Sequence, residues 1–306
     1  MLQLPKQIVD LIKDDIKTYA RPLEIALFNY HFDGASYKPV IEALKVFQNE
    51  DGGFGHAIEP DIQMPNSSAI GTTVALQILE QLPTEEDEVA EIVDKCLAYL
   101  SRSYHARRMG WTAANIFVND YPHAPWWHAD EKGLTAVDAR WGNPTVEILG
   151  HFIRLQHDRG EVTFKEQLDY AVKQLLEATE TSEHELFCYI SAYPYFNKER
   201  QDQLRPVITR HVKKLLNMNV EEWNTYVPRP LDFIKSPDSE MFGITTDQIT
   251  VHMEYIIEKL IQNGRLTTNW EWGTYPETWP KAKSAWEGIL TVKTLVLLKT
   301  FGRLEE

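Results

Sequence analysis

Apolar residues recur every three or four positions along most of this chain. Ile8, Leu11, Ile12 and Ile16 share one helical face, as do Val89, Ile92, Val93, Cys96, Leu97 and Leu100. A 3.6-residue turn brings such positions to one side. The spacing returns in Ile70, Val74, Ile78, Leu79 and Leu82, in Leu168, Val172, Leu175 and Leu176, and in Val207, Ile208, Val212, Leu215 and Leu216. It returns again in Ile249, Met253, Ile256, Ile257 and Leu260. The two-residue alternation of a half-buried strand is never sustained, and Asn263-Gly264 follows a helical pattern instead of joining two alternating runs. The pattern predicts an all-α protein.

These helices differ in how much of their circumference is apolar. Most are one-sided, but Ala285 to Phe301 carries Trp286, Ile289, Leu290, Val292, Leu295, Val296, Leu297 and Leu298 nearly all round, which requires enclosure. Alternating enclosed and one-sided helices fit two concentric layers. One stretch, Leu44 to Gly55, then serves as a marker for self-similarity. It ends a helix at Gln48-Asn49, whose amides can bond loose helix-end carbonyls, and reverses through Gly52-Gly53 before Phe54 folds back as a plug. A second copy runs from Ile256 through Gln262-Asn263-Gly264 to Trp270-Glu271-Trp272-Gly273. Weaker copies lie at Leu97 to Ser101 with Gly110-Trp111, at Phe152 to Gln156 with Asp158-Arg159-Gly160, and at Leu215 to Asn217 with Trp223. Positions 48, 101, 156, 217 and 262 are 53, 55, 61 and 45 residues apart, one helix pair with its loops per repeat. Five to six helix hairpins result. No Gly/Ser or Pro linker divides the chain, so a single domain over residues 1–306 is expected.

The Leu-x-x-Phe-Gln-Asn-x-Asp-Gly-Gly-Phe-Gly pattern at 44–55, its relative at 260–273 and the repeat length resemble the prenyltransferase and squalene-cyclase repeat, the QW motif. The resemblance implies an α/α toroid, the double-layered helical barrel of terpenoid cyclases and protein prenyltransferase β-subunits. It transfers a fold and not a reaction, because the motif is structural in that family. The same architecture is similar to that of (α/α)-barrel glycoside hydrolases and polysaccharide lyases. The family's chemistry does not carry over. The pair Asp14-Asp15 is followed by Ile16-Lys17-Thr18 and not by the spacing of a class I metal motif, and no Asp-x-Asp-Asp acid occurs. Asp94-Lys95-Cys96 supplies the Asp-x-Cys of a prenyltransferase zinc site, but Cys96 falls on the apolar stripe, where a thiol acts as a small hydrophobe.

Charge narrows the partners. A formal net charge of −14, with no Lys/Arg-rich stretch, repels phosphate backbones and argues against nucleic acid. The longest apolar stretch, Ile289 to Phe301, is broken by Lys293 and Lys299 and falls short of a membrane span, so no integral membrane segment is expected. Met1 to Asp15 lacks the apolar core of an export signal. Two cysteines, Cys96 and Cys188, cannot make a disulfide framework, and a cytoplasmic protein is expected.

The chemistry-bearing residues gather in loops. From Gly110 to Asn143 the helical period lapses, and the segment carries Trp111, His123, Trp126, Trp127, His128 and Trp141. A connection of that length in a compact domain is a lid or binding loop, or it is disordered, and its tryptophans argue against disorder. A second aromatic group, with Trp270 and Trp272, follows the later repeat. Two such loops at one end of a barrel would line its mouth. Their rings can stack on sugars or face a carbocation, and they can equally cap the barrel by packing on one another. The third group is His56, Glu59 and Asp61 in His-Ala-Ile-Glu-Pro-Asp, ahead of a helix capped by Asn66 or Ser67. Pro60 and Pro65 are expected to hold this segment extended, so that the two carboxylates point the same way and can divide acid and base roles, with His56 beside them. They can also simply bond loop amides. Pro125 between His123 and His128 prevents the helical pairing of zinc hydrolases, and no phosphate loop, nucleophile elbow or His-Glu-x-x-His motif occurs. No metal or cofactor is called for. The expected ligand is a small or chain-like organic molecule, bound in a terpenoid-cyclase-like cavity. In the carbohydrate-active alternative, Glu59, Asp61, Asp130 or Glu271 would act as acid and base. A non-catalytic scaffold is the third reading.

Overall fold

The computed structural model describes residues 1–156 and 164–305, apart from the side chain of Gln156. Twelve α-helices occur among them: α1 (Lys6–Tyr19), α2 (Pro22–Phe32), α3 (Lys38–Lys45), α4 (Ala69–Leu79), α5 (Asp87–Arg102), α6 (Gly142–Gln156), α7 (Lys165–Glu177), α8 (Glu183–Ala192), α9 (Lys198–Leu215), α10 (Pro230–Phe233), α11 (Thr246–Asn263) and α12 (Trp279–Thr300). Isolated β-bridges, and no strand, accompany them among the described residues. The protein is all-α, and none of the described helices is long and apolar enough to cross a membrane. The Asp158-Arg159-Gly160 portion of the third repeat lies outside the described residues.

The periodicity locates α5 and α11 closely. All six apolar residues chosen for α5, and all five for α11, are buried. Asp87 and Glu88 occupy the first turn of α5, where negative charge complements the helix dipole. Gly264 ends α11 at φ +69° and donates to the Leu260 carbonyl. Elsewhere the stripes are wider than the faces that become covered. In α1 only Ile12 and Ile16 are buried while Leu11 is exposed, and Leu176 of α7 is exposed as well.

Backbone contacts group the chain into two compact units, residues 1–44 with 215–306, and residues 45–214. In the first, α12 packs on α1 and α2, and α10 packs on α11. A Cβ at Gly288 would lie 2.9 Å from Ala20 Cβ, so only glycine allows α12 to come this near. Leu4 bridges to Leu304, with its amide on the Arg303 carbonyl at 2.8 Å.

The second unit carries the layering. α4 packs on α6 and α6 on α8, while α5 packs on α4 and α7 on α6. The three helices α4, α6 and α8 run parallel. Gln77 meets Glu147 and, a turn later, Glu80 meets His151. Gly142 abuts Glu185 and Tyr189, and Gly150 abuts Ala192. α4 is covered almost all round, whereas α5 and α7 are one-sided. This is a row of helix hairpins with α4, α6 and α8 as one layer.

Candidate functional site

The loops that enter α4 and α6 lie at one end of the second unit, because these two helices are parallel neighbours. The first loop begins with the repeat motif. Gly52, at φ +85°, makes the reversal. Gly53 is required by crowding instead, since a Cβ there would sit 2.6 Å from Ser67 Cβ and 2.8 Å from the Tyr99 ring. The Gln48 side chain bonds the Gly52 carbonyl at 3.2 Å, inside the turn and not at the helix end. Asn49 spans to the Pro65 carbonyl and Ser67 Oγ, both at 2.9 Å, and Ser67 donates to Asp51 at 2.7 Å. Ser67 is therefore engaged, and Ser68 caps α4 by accepting from the Gly71 amide. Phe54 is fully buried as the plug.

Two tight turns follow. His56 and Ala57 both have positive φ, 54° and 63°, and the Ile58 amide donates to the Gly55 carbonyl at 3.1 Å. This is a type I′ turn built without its usual Asn-Gly, and the left-handed region is costly for both residues. The His56 ring contacts Asn49 Oδ1 at 2.9 Å. Then Ile62 donates to the Glu59 carbonyl at 3.0 Å, closing a turn with Pro60 at its second position. The segment is thus bent and not extended, because proline preorganises that turn corner. Asp61 is buried and Glu59 half-buried.

The turn at 59–62 joins the second loop. Ala124 donates to the Asp61 carbonyl at 2.9 Å, Gln63 to the Pro122 carbonyl at 3.0 Å, and Ile62 bridges His123. Residues from two separate stretches of sequence, His56, Glu59 and Asp61 on one side and His123, Trp126, Trp127 and His128 on the other, are thereby brought to one end of the unit. His123 is buried, with Nδ1 2.6 Å from the Tyr121 carbonyl oxygen and Nε2 3.1 Å from Nδ1 of the exposed His128. Trp127 is buried with its indole N–H unpartnered, and Trp126 is half-buried. Trp111 is fully buried, stacks on Phe152 and donates to the Leu100 carbonyl. Trp141 donates to the Arg108 carbonyl. Asp138, absent from the sequence reading, pins this loop by accepting from the Ala113 and Thr135 amides and the Thr135 hydroxyl. Asp130 accepts from the Leu134 and Lys132 amides of its own turn, and these bonds, Leu134 first, hold its carboxyl below the usual range.

A polar stripe runs down the parallel helices from this end. Glu147, His151 and Arg154 recur every three or four residues of α6 and so share a face, and Asn143, whose backbone is not helical (φ −104°, ψ 119°), stands at its start. Glu147 accepts from Gln77 Nε2 at 2.8 Å, and the Cys188 thiol of α8 reaches Asn143 Oδ1 at 3.6 Å. Burial, then the Glu147 and Glu185 charges, push that thiol well above its ordinary value, which keeps it protonated. Further along, Glu80 holds His151 Nδ1 at 2.6 Å and Arg154 Nη1 at 2.5 Å. Gln77 is exposed and Asn143 and Glu147 half-buried, so the upper part of the stripe meets solvent. Its residues escape a sequence reading because a polar stripe on a helix looks like an ordinary solvated face.

In the first unit, Trp270 packs edge-on to Trp286 and Tyr226, while buried Trp272 contacts Trp279. Glu271 between them is exposed. Among the described residues, no group of three or more His, Cys, Asp or Glu is arranged to hold a metal ion. No family model, curated protein or solved structure matches the chain.

Proposed function

We propose that the chain is an α/α-toroid enzyme of the carbohydrate-active kind, with its ligand at the loop end of the parallel helices α4, α6 and α8. The parallel layer with α5 and α7 packed behind it is the hairpin unit from which a toroid is built, and it supports that architecture. One observation carries the ligand class: the pairing of residues 61–63 with 122–124 gathers carboxylates, imidazoles and tryptophans at the end where the Asn143 and Glu147 stripe begins. A polyhydroxylated molecule uses such hydrogen-bonding groups together with a flat ring, whereas a hydrocarbon chain leaves them unsatisfied. Glu59 and Asp61, with Glu147 below them, are the acid and base groups of this reading.

The terpenoid-cyclase-like reading rests on the repeat at 44–55, which supports the fold more than the reaction. The two readings separate in a ligand panel. Thermal shift and product analysis with neutral and acidic oligosaccharides and with isoprenoid diphosphates should give stabilisation by an oligosaccharide, reduced in Glu147→Gln. Stabilisation by an isoprenoid diphosphate alone would favour the cyclase-like reading, and no response to any compound would favour a scaffold.

A further inference from the structure

The hydrogen bonding of His123 and His128 dictates where their protons sit. His123 Nδ1 lies 2.6 Å from the Tyr121 carbonyl oxygen, which can only accept, so Nδ1 carries the hydrogen. A neutral imidazole has one N–H, and His123 Nε2 must therefore accept. Its partner at 3.1 Å is His128 Nδ1, which must then donate. His128 Nε2 is left with a bare lone pair on an exposed side chain. The rings lie with planes 20° apart and centres 5.3 Å apart.

An added proton changes only the outer end. Wherever the bridging hydrogen resides, His128 Nε2 then bears an N–H. A second proton would set N–H against N–H across the 3.1 Å contact, so the two rings take up one proton between them. Trp127, which lies between them in sequence, is buried, and its indole N–H has no hydrogen-bond partner within the protein. The titratable groups on the segments joined to the pair are His56, Glu59 and Asp61 on the facing loop and Asp120, Tyr121, Asp130 and Glu131 in the same loop. No Lys or Arg occurs from Trp111 to Glu131 or from Phe54 to Met64.

We propose that His123 and His128 form a single proton-exchanging unit whose working atom is His128 Nε2, facing a hydroxyl-bearing ligand. Only the ligand class rests on the carbohydrate reading. In the neutral unit Nε2 takes the proton of a ligand hydroxyl; the unit becomes a cation and the oxygen an alkoxide. In the return step the Nε2 proton passes to an oxygen of the ligand and the unit is neutral again. His123 is the positioning residue, because it fixes the tautomer that presents the lone pair.

Long-range proton–nitrogen NMR of the 15N-labelled chain tests this without any substrate. At neutral pH, His128 should show an unprotonated Nε2 and a protonated Nδ1. On acidification, the nitrogens of both rings should respond to one shared protonation event. In His123→Phe, with folding checked by a thermal melt, His128 should become a mixture of tautomers. A protonated Nε2 on His128 in the neutral wild type, or two independent titrations, would overturn the proposal. The wild-type spectrum decides even if the variant fails to fold. A correct tautomer with no oligosaccharide binding would leave the proton unit standing and remove the carbohydrate reading.

Discussion

The backbone amide of Ala124 donates to the carbonyl of Asp61 at 2.9 Å, tying together two loops that are 63 positions apart in sequence. The bond forms because each loop bends first: Pro60 turns the chain at 59–62, and Pro125 opens the 3₁₀ turn Pro125–Trp127. With both corners preset, the exposed backbone groups of 61–63 and 122–124 satisfy each other, which a buried loop requires. Glu59, Asp61, His123 and His128 thus belong to one piece of structure.

If this piece is the site of reaction, Glu59→Gln and Asp61→Asn should each lower turnover by about 100-fold, the scale expected for loss of a positioned acid or base. Activity on the ligand found by the panel is the readout, with thermal melts on both variants, since Asp61 is buried. Full activity in both would remove these carboxylates from the mechanism.

Gly53→Val should destabilise the chain by about 1–3 kcal/mol through overpacking. The new Cβ would fall 2.6 Å from Ser67 Cβ, where Ser67 is already held by Asp51 and Asn49 and has little room to move. A melting temperature equal to wild type would contradict this crowding.

Ala57→Gly should act in the opposite direction. At φ +63° alanine bears a left-handed penalty of about 1–2 kcal/mol, against about 0.5–1 kcal/mol of extra chain entropy lost by glycine. A small rise in stability is expected, about half a kcal/mol. If the turn's strain positions Glu59 for function, ligand binding should weaken in the same variant, and titration calorimetry would detect it.

Much of the fold is legible in the sequence because helices advertise themselves by period. The stripes of α5 and α11, the αL stop at Gly264 and the turn at Gly52 all follow from local rules. Local rules fail where partners are distant. Nothing near Glu59 announces that its segment pairs with residues 122–124, and an extended reading of two prolines competes equally with a turn. Glu80 directly follows α4, whereas His151 and Arg154 lie on α6 more than sixty residues away, and each looks solvated by itself. The glycine at 53 is legible as necessary, but its reason, the approach of Ser67 and Tyr99, is tertiary.

The thiols should be inert while the chain is folded. Both Cys96 and Cys188 are free and buried, and burial, the leading cause for each, raises their pKa values. Alkylation by iodoacetamide at pH 8 should be slower than in denaturant by on the order of 100-fold or more, since only the exposed thiolate reacts. Rapid modification of native Cys188 would show that the α6 to α8 contact opens readily.

Acid sensitivity should arise in part at His252. Its Nδ1 accepts the Leu231 amide at 3.1 Å, its Nε2 is buried without a partner, and Trp223 packs edge-on at 4.8 Å. Burial lowers its pKa from 6.5 to about 3, outweighing the upward pull of Asp232, while Arg229 and Lys235 push in the same direction as burial. A proton on Nδ1 would also confront the Leu231 N–H. The folded chain therefore refuses a proton that the unfolded chain accepts below about pH 6.5. Between that pH and about 3 the unfolded state binds more protons, so stability falls as the pH falls. This one residue contributes a slope approaching about 1.4 kcal/mol per pH unit. His252→Asn keeps an acceptor for Leu231 and removes the titration. Urea denaturation from pH 4 to 7 should give a shallower decline for the variant, whatever its absolute stability. Parallel curves for the two proteins would mean that His252 takes up its proton in the folded state and that the buried, neutral imidazole is not the acid-sensitive point.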